Sequence, residues 1–493
     1  MRKFCGWLLA ACWLVSGQPP ELVEKSQQAK ALMGQGRFAE AVPLYEALVK
    51  AVPGNPGLLL NLGMAQHMAG QDAAAVAQFR KVLQAVPDAY PALAMGGAAL
   101  MRLGRAGEAI PLLEKAQAMQ PGVAAVLEAL GDAYFRAGQA TKAAGALEQF
   151  AAADRGNPKG WYLLGRTYED LAKRSFAEVE KGGTGSAWWL ALVAESRTRI
   201  NQRSSAFYFW RQALAKNPNL RGAHAAIAEI YRIEGKKDWA AEAAGAEIAL
   251  GLPDCSGQSA ECLFAAGRWR EAAEAGAAAK TVEGHYWRTK AMNMMAGEAF
   301  GQLAQLGPSV YLHQFQGEMY REAGKHAESL AEWESALRLR PGDALLEREK
   351  ALTVYASHNY AAAEPLLTKL AVRGGDAEID YFLGDTLLQL QKVDAAIARL
   401  EAAVRRAPKL LPARATLGRA YLQSGRAAQA VPHLKAALSL DEDGSLHFQL
   451  LRAYQTTGQA ELAKATMAKY QEMQKANEAA QRELAAQAVI QAP

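Results

Sequence analysis

The chain has 493 residues, 51% of them hydrophobic and 21% charged, with Lys+Arg 55 against Asp+Glu 50 for a net charge of +5. So mild a balance argues against a nucleic-acid binder, which gathers its basic residues into a stripe. The apolar share is ample for a buried core and excludes a disordered chain. Beyond the N-terminal stretch no apolar run approaches the roughly 20 residues that cross a bilayer, and four cysteines are too few to frame a disulfide miniprotein.

Residues 1–17 read MRKFCGWLLAACWLVSG. Arg2 and Lys3 give a positive start, Phe4 to Val15 is apolar, and the small residues Ser16 and Gly17 follow. That is the layout of a secretory signal cleaved after Gly17. Leu9-Ala10-Ala11-Cys12 offers a competing reading as a lipobox, with Cys12 becoming a lipidated first residue. Either way the expected location is the periplasm or cell envelope, and the mature chain keeps two cysteines, Cys255 and Cys262. Their spacing fits a small disulfide loop closed onto a helix start, with two buried free thiols as the alternative.

From residue 22 onward the chain repeats. Gly63, Gly97, Gly131 and Gly165 are each 34 residues apart, as are Gly36, Gly70, Gly104 and Gly138, and Pro53, Pro87 and Pro121. Apolar residues at helical spacing flank the second glycine set, so each unit reads as two helices and a turn. A glycine inside a helix costs about 1 kcal/mol against alanine, and its recurrence implies a crossing too close for a side chain. The turn glycines suit a left-handed helix end. The prolines stop each second helix.

These residues resemble the tetratricopeptide repeat (TPR) family. Trp161, Leu164, Gly165 and Tyr168 fit the family's first helix. Gly317, Tyr320, Gly324, Trp333, Ala336 and Pro341 fit a later unit. Leu383, Gly384, Ala396, Leu400, Ala403 and Pro408 fit another, followed by Leu417, Gly418, Tyr421, Gly425, Ala430, Leu434 and Ala437, and by Tyr454, Gly458, Ala463 and Met467. The resemblance implies an all-α fold, a right-handed superhelical solenoid of helix-turn-helix hairpins. On this reading repeats 1–4 occupy 22–157. A long helix without a normal partner, ending in a Gly-rich break, occupies 158–186. Further repeats fill 187–254, a degenerate helical segment lacking the glycine-proline skeleton fills 255–308, with a junction between two arrays (22–254 and 309–475) as the alternative, and C-terminal repeats fill 309–475. A polar helical cap and frayed tail cover 476–493.

The resemblance also implies a binding surface, because in the family the first helices line a concave face that takes peptides or partner helices. The ninth position of each first helix samples that face: Lys30, Met64, Ala98, Asp132, Arg166, Glu195, Glu229, Glu318, Leu352, Asp385, Arg419 and Arg452. Neighbouring positions add His67, Met68 and Met101. The sample runs from apolar and Met-rich, suited to adaptable contacts, through acidic to basic. None of these positions holds the Asn of a carboxylate clamp. The aromatic cluster Trp188, Trp189, Phe207, Tyr208, Phe209 and Trp210 reads as packing, or as an exposed anchor for a partner.

Chemistry is sparse. The eight histidines are scattered without paired spacing, no Gly-rich loop ends in Gly-Lys-Ser/Thr, and there is no Gly-x-Ser-x-Gly elbow. The repeats leave little room for a catalytic domain. The sequence therefore predicts a non-enzymatic scaffold with a protein or peptide partner, without metal, cofactor, nucleic acid or small-molecule substrate. A cell-envelope lipoprotein, or an assembly factor for secretion or polysaccharide export, is the alternative.

Overall fold

The computed structural model describes residues 20–493 apart from 254, 256 and 488, so the expected signal and the Cys12 lipidation site lie outside the described residues. Every described element is helical. The helices fall into two compact units, Met1–Ser175 with Ala266–Ala275 and Trp287–Leu306, and Phe176–Ala265 with Gly276–Tyr286 and Gly307–Pro493.

The first unit opens with four hairpins: α1 (Pro20–Gly34) with α2 (Phe38–Ala51), α3 (Pro56–Met68) with α4 (Asp72–Ala85), α5 (Tyr90–Arg102) with α6 (Ala106–Met119), and α7 (Ala124–Arg136) with α8 (Ala140–Ala153). Their turns are built alike. Gly36, Gly70, Gly104 and Gly138 all have φ between 70° and 80°, the left-handed region that costs an L side chain energy. At the α3–α4 turn the Gly70 N–H donates to the His67 carbonyl (3.1 Å) and the Gln71 N–H to that of Gln66 (2.8 Å), which satisfies carbonyls the helix end would leave orphaned. The in-helix glycines form the crossings that their recurrence suggested. A Cβ on Gly63 would lie 2.8 Å from Phe79, one on Gly97 2.6 Å from Leu113, and one on Gly131 2.5 Å from Leu147. Each partner stands sixteen positions after its glycine, on the second helix of the same hairpin.

The fifth hairpin breaks that rule, and the structure corrects the sequence reading here. The long helix α9 (Pro158–Gly183) does have a partner. A Cβ on Gly165 would lie 2.5 Å from the ring of Phe300, in α16 (Val282–Gln305), more than a hundred residues downstream. Ala296, Phe300, Leu303 and Pro308 have the same spacing as Ala109, Leu113, Ala116 and Pro121. The first three are buried, so the C-terminal part of α16 is the missing second helix. The cause is local. The turn position seven residues after Gly165 is Ala172, which is buried in the helix. Ala172 is helical rather than left-handed, so α9 runs on past the usual turn. From the segment read as degenerate, α15 (Trp269–Ala279) also contributes to this unit. The Arg270 guanidinium pairs with Glu148 at 2.7 Å, and Trp269 Nε1 donates to Glu298 at 2.9 Å.

The second unit holds α10 (Ala187–Arg199) with α11 (Arg203–Lys216), α12 (Ala223–Ile233) with α13 (Lys237–Ala249), and the short α14 (Ala260–Ala265). It also holds α17 (Val310–Glu322) with α18 (His326–Leu339), α19 (Ala344–Ala356) with α20 (Tyr360–Val372), α21 (Ala377–Gln389) with α22 (Val393–Arg406), α23 (Leu411–Gln423) with α24 (Ala427–Ala437), and α25 (Ser445–Thr456) with α26 (Ala460–Gln487). The crossings recur: Gly317 under Trp333, Gly384 under Leu400 and Gly418 under Leu434. Three turns keep the left-handed conformation without glycine, at Asn201, His358 and Gln391.

Cys255 and Cys262 form a disulfide with Cα atoms 5.4 Å apart. It ties the loop after α13 to α14. Arg221 braces the same loop, donating to the carbonyls of Leu250 and Leu252 and pairing with Glu261 at 3.0 Å. In the aromatic cluster Phe207 and Trp210 are buried and Trp188 stacks on Tyr286 at 5.0 Å, as packing requires. The C-terminus differs from the expected fraying. Helix α26 spans 28 residues, and Gln491 beyond it is hydrogen-bonded to Arg211 and Tyr231.

Candidate functional site

The sampled first-helix positions divide between the two units, and in each the charges are largely engaged with one another. In the first unit His67 is buried and its Nδ1 lies 2.6 Å from Asp72, at the start of α4. Arg102, on α5, donates to the same carboxylate at 2.7 Å and to the His67 carbonyl. One carboxylate therefore links three helices of two successive hairpins. Asp132, only 6% exposed, accepts from Arg136 Nε at 2.7 Å and lies 3.3 Å from Lys159, which also pairs with Glu128. Arg166 pairs with Glu169 at 2.7 Å. The methionines are graded: Met101 is buried, Met64 half-buried, and Met68 48% exposed.

In the second unit Asp385, 4% exposed, accepts from Arg419 at 3.0 Å and from the Tyr355 hydroxyl at 2.8 Å. Asp385 and Arg419 are ninth positions of successive hairpins, so these two sampled charges pair with each other along the stack. Burial, reinforced by the Asp385 charge, pushes the Tyr355 hydroxyl far above the ordinary tyrosine range. Glu229 is exposed and pairs with Arg232, Glu195 and Glu318 are half-buried, and Arg452 is exposed. The exposed remainder, Lys30, Met68, Glu229 and Arg452, is what the sampled face offers a ligand.

A second feature was not anticipated from the sequence. Between α8, α9, α15 and α16, inside the first unit, lies a cleft of ≈ 640 Å³. Trp161, Leu164 and Met295 give it an apolar floor, and Glu148, Arg155 and Arg270 a charged edge. Trp161 Nε1 donates to the Arg155 carbonyl at 2.9 Å, which fixes the indole. The cleft depends on α15 and α16, so no reading confined to 158–181 would find it.

The hairpins are also stitched at their seams. Tyr134 donates to Glu114 at 2.5 Å, Tyr168 to Glu148 at 2.6 Å and Tyr421 to Glu401 at 2.6 Å. Tyr134 and Tyr421 precede their turns by four residues, Tyr168 stands four before Ala172, where the turn is missing, and each glutamate follows the preceding turn by ten. Burial, then the hydrogen bond to Glu401, raises Tyr421 to about 12. The folded state thus favours the neutral phenol. Its contribution is full below the ordinary tyrosine value near 10 and is lost as pH rises towards about 12. Thermal unfolding followed between pH 9 and 12 should show that loss, and Tyr421→Phe should make the profile shallower. Glu114 behaves in the opposite sense. The Tyr134 and Lys142 hydrogen bonds lower it, so its contribution fades as the solution is acidified through the carboxylate range.

Two models described as Tetratricopeptide repeat match the sequence, one at residues 26–90 and 348–410, the other at 100–167 and 387–452. The chain is a tetratricopeptide repeat protein. One match stops at residue 167, just before the point where this TPR chain passes its missing turn. Among solved structures, MamA (residues 41 to end) from Desulfovibrio magneticus RS-1 is similar at 25% identity, covering 30% of this chain and 84% of that one with a TM-score of 0.29. YrrB, described as a TPR protein with an unusual peptide-binding site, is similar at 19% identity, covering 36% of this chain and 93% of that one with a TM-score of 0.31. A search of curated proteins gives no match. TPR hairpins of this kind support protein–protein interaction scaffolds.

Proposed function

We propose that this protein is a non-enzymatic adaptor that binds peptide segments or partner helices along the first-helix face of its hairpins. The observation that carries the reading is the graded methionine surface of α3 and α5, where Met64, Met68 and Met101 pass from buried to exposed beside the closed His67–Asp72–Arg102 network. Thioether side chains adapt to apolar ligands of varied shape, and the charges beside them are paired with one another. Among the described residues no group of three His, Cys, Asp or Glu is placed to hold a metal.

Peptides selected by display against the full chain give the test. Met68→Glu, at an exposed position, should weaken the selected peptides by about tenfold or more, the effect of a charge set in an apolar contact. The unfolding temperature should not change. Selected peptides that bind the variant equally well would overturn the reading.

We also propose that the protein is exported through residues 1–17. The Cys255–Cys262 bond supports this, since such bonds persist in oxidising compartments. The mass of the mature N-terminus separates cleavage after Gly17 from a lipidated Cys12.

A further inference from the structure

The tyrosine–glutamate stitch has a register, and at two junctions that keep the tyrosine the glutamate position is basic, Lys435 opposite Tyr454 and Arg211 opposite Tyr231. At the α11–α12 seam the tyrosine is present as Tyr231, four residues before the turn at Gly235, but the position ten after the turn at Asn201 is Arg211. Two hydrogen-bond donors therefore face each other where the three stitched seams pair a donor with a carboxylate. Tyr231 is 2% exposed, its ring set against Phe207 (5.5 Å) and Trp239 (5.6 Å). The Arg211 guanidinium lies 5.9 Å from the Phe207 ring centroid. A buried phenol needs an acceptor, because folding takes from it the hydrogen bonds it would make to water.

The acceptor comes from the far end of the same unit. The Tyr231 hydroxyl donates to the main-chain oxygen of Gln491 at 2.6 Å, and Arg211 Nη1 donates to the Gln491 Oε1 at 2.9 Å. One residue thus supplies both oxygens that a seam glutamate would otherwise have to provide. Helix α26 makes this reach possible: its 28 residues are twice the 14 of a second helix such as α8.

We propose that the α11–α12 seam is a peptide-docking site, and that its occupant is the chain's own C-terminal segment, Val489–Pro493, bound in place of the missing seam glutamate. The site recognises an extended main-chain carbonyl through Tyr231 and a side-chain oxygen through Arg211. Gln491 is exposed and offers Arg211 only a neutral amide. Charge-assisted bonds are roughly twice as strong as neutral ones, so a segment presenting a carboxylate to Arg211 would displace the tail. The tail is then a strap that tethering keeps in place, at the millimolar effective concentration typical of short flexible linkers. This surface is separate from the methionine face of the first unit, and the two readings fail independently.

The test uses the full chain with a photo-cross-linking amino acid at position 490. Cross-links are expected within residues 203–239, at a yield independent of protein concentration. Arg211→Glu restores the seam pair with Tyr231 and should lower that yield by at least about fivefold, the weight of one hydrogen bond, with the unfolding temperature unchanged or raised. Tyr231→Phe, which keeps the ring and removes only the hydroxyl, should lower it similarly. Gln491→Glu should raise it. Cross-links falling elsewhere, a yield that grows with concentration, or a yield indifferent to both seam variants would overturn the proposal.

Discussion

Gly97→Leu is expected to destabilise the first unit by about 3 kcal/mol, the upper range for overpacking a tight core. The reason is geometric. Even a single Cβ at this position would sit 2.6 Å from both Cγ and Cδ2 of Leu113, and Leu113 is itself fully buried, with nowhere to withdraw. Two alanine substitutions sharpen the point. Gly145 is also helical, in α8, but a Cβ there meets nothing within 4 Å. Gly145→Ala should therefore gain about 1 kcal/mol from helix propensity, whereas Gly97→Ala should lose stability despite the same propensity gain. Urea unfolding of the three variants measures this. Equal effects for Gly97→Ala and Gly145→Ala would mean that the crossing is not as tight as the backbone places it.

The second large effect concerns the split hairpin. Phe300→Ala should cost about 3–5 kcal/mol, as expected for emptying a buried aromatic site, because Phe300 fills the crossing over Gly165. Gly165→Leu alone should cost about 3 kcal/mol by overpacking. Combined, the two should cost clearly less than their sum, since the leucine enters the space the ring vacates. Contacting residues couple by about 0.5–3 kcal/mol in such cycles. Strict additivity would show that α16 is not the second helix of this hairpin. No pair of residues adjacent in sequence mimics the signature, so the cycle reports on the long-range pairing alone.

The regular hairpins were legible in the sequence because their determinants are backbone determinants. Gly70, Gly104 and Gly138 are glycines because the turn needs positive φ, and Gly97 and Gly131 because a leucine lies across the helix. The split was harder to read, although its components are present. Ala172 marks the absent turn, and Ala296, Phe300, Leu303 and Pro308 spell a second helix. Only their sequence separation hides that they belong to Gly165. The disulfide was legible from spacing, with two free thiols as the competing reading.

The sampled face was legible as positions but not as chemistry. Helical register places Asp385 and Arg419 correctly on successive first helices, yet it does not say that they neutralise each other, nor that His67 and Asp132 spend their polar atoms inside the stack. The seam glutamates Glu114, Glu148 and Glu401 share one register, which other hairpins fill with different residues. Their role becomes visible only once the tyrosine partners are seen, and that of Arg211 only once Gln491 is found beside it.

The split hairpin has a consequence for how the polypeptide is made. During translation at about 5–20 residues per second, a helix and a partner roughly 130 residues later emerge on the order of ten seconds apart. Throughout that interval the nascent α9 presents the Gly165 notch with no Phe300 to fill it. Ribosome-bound chains stalled before residue 300 should therefore expose this apolar notch to holding chaperones, and release it once α16 has been synthesised.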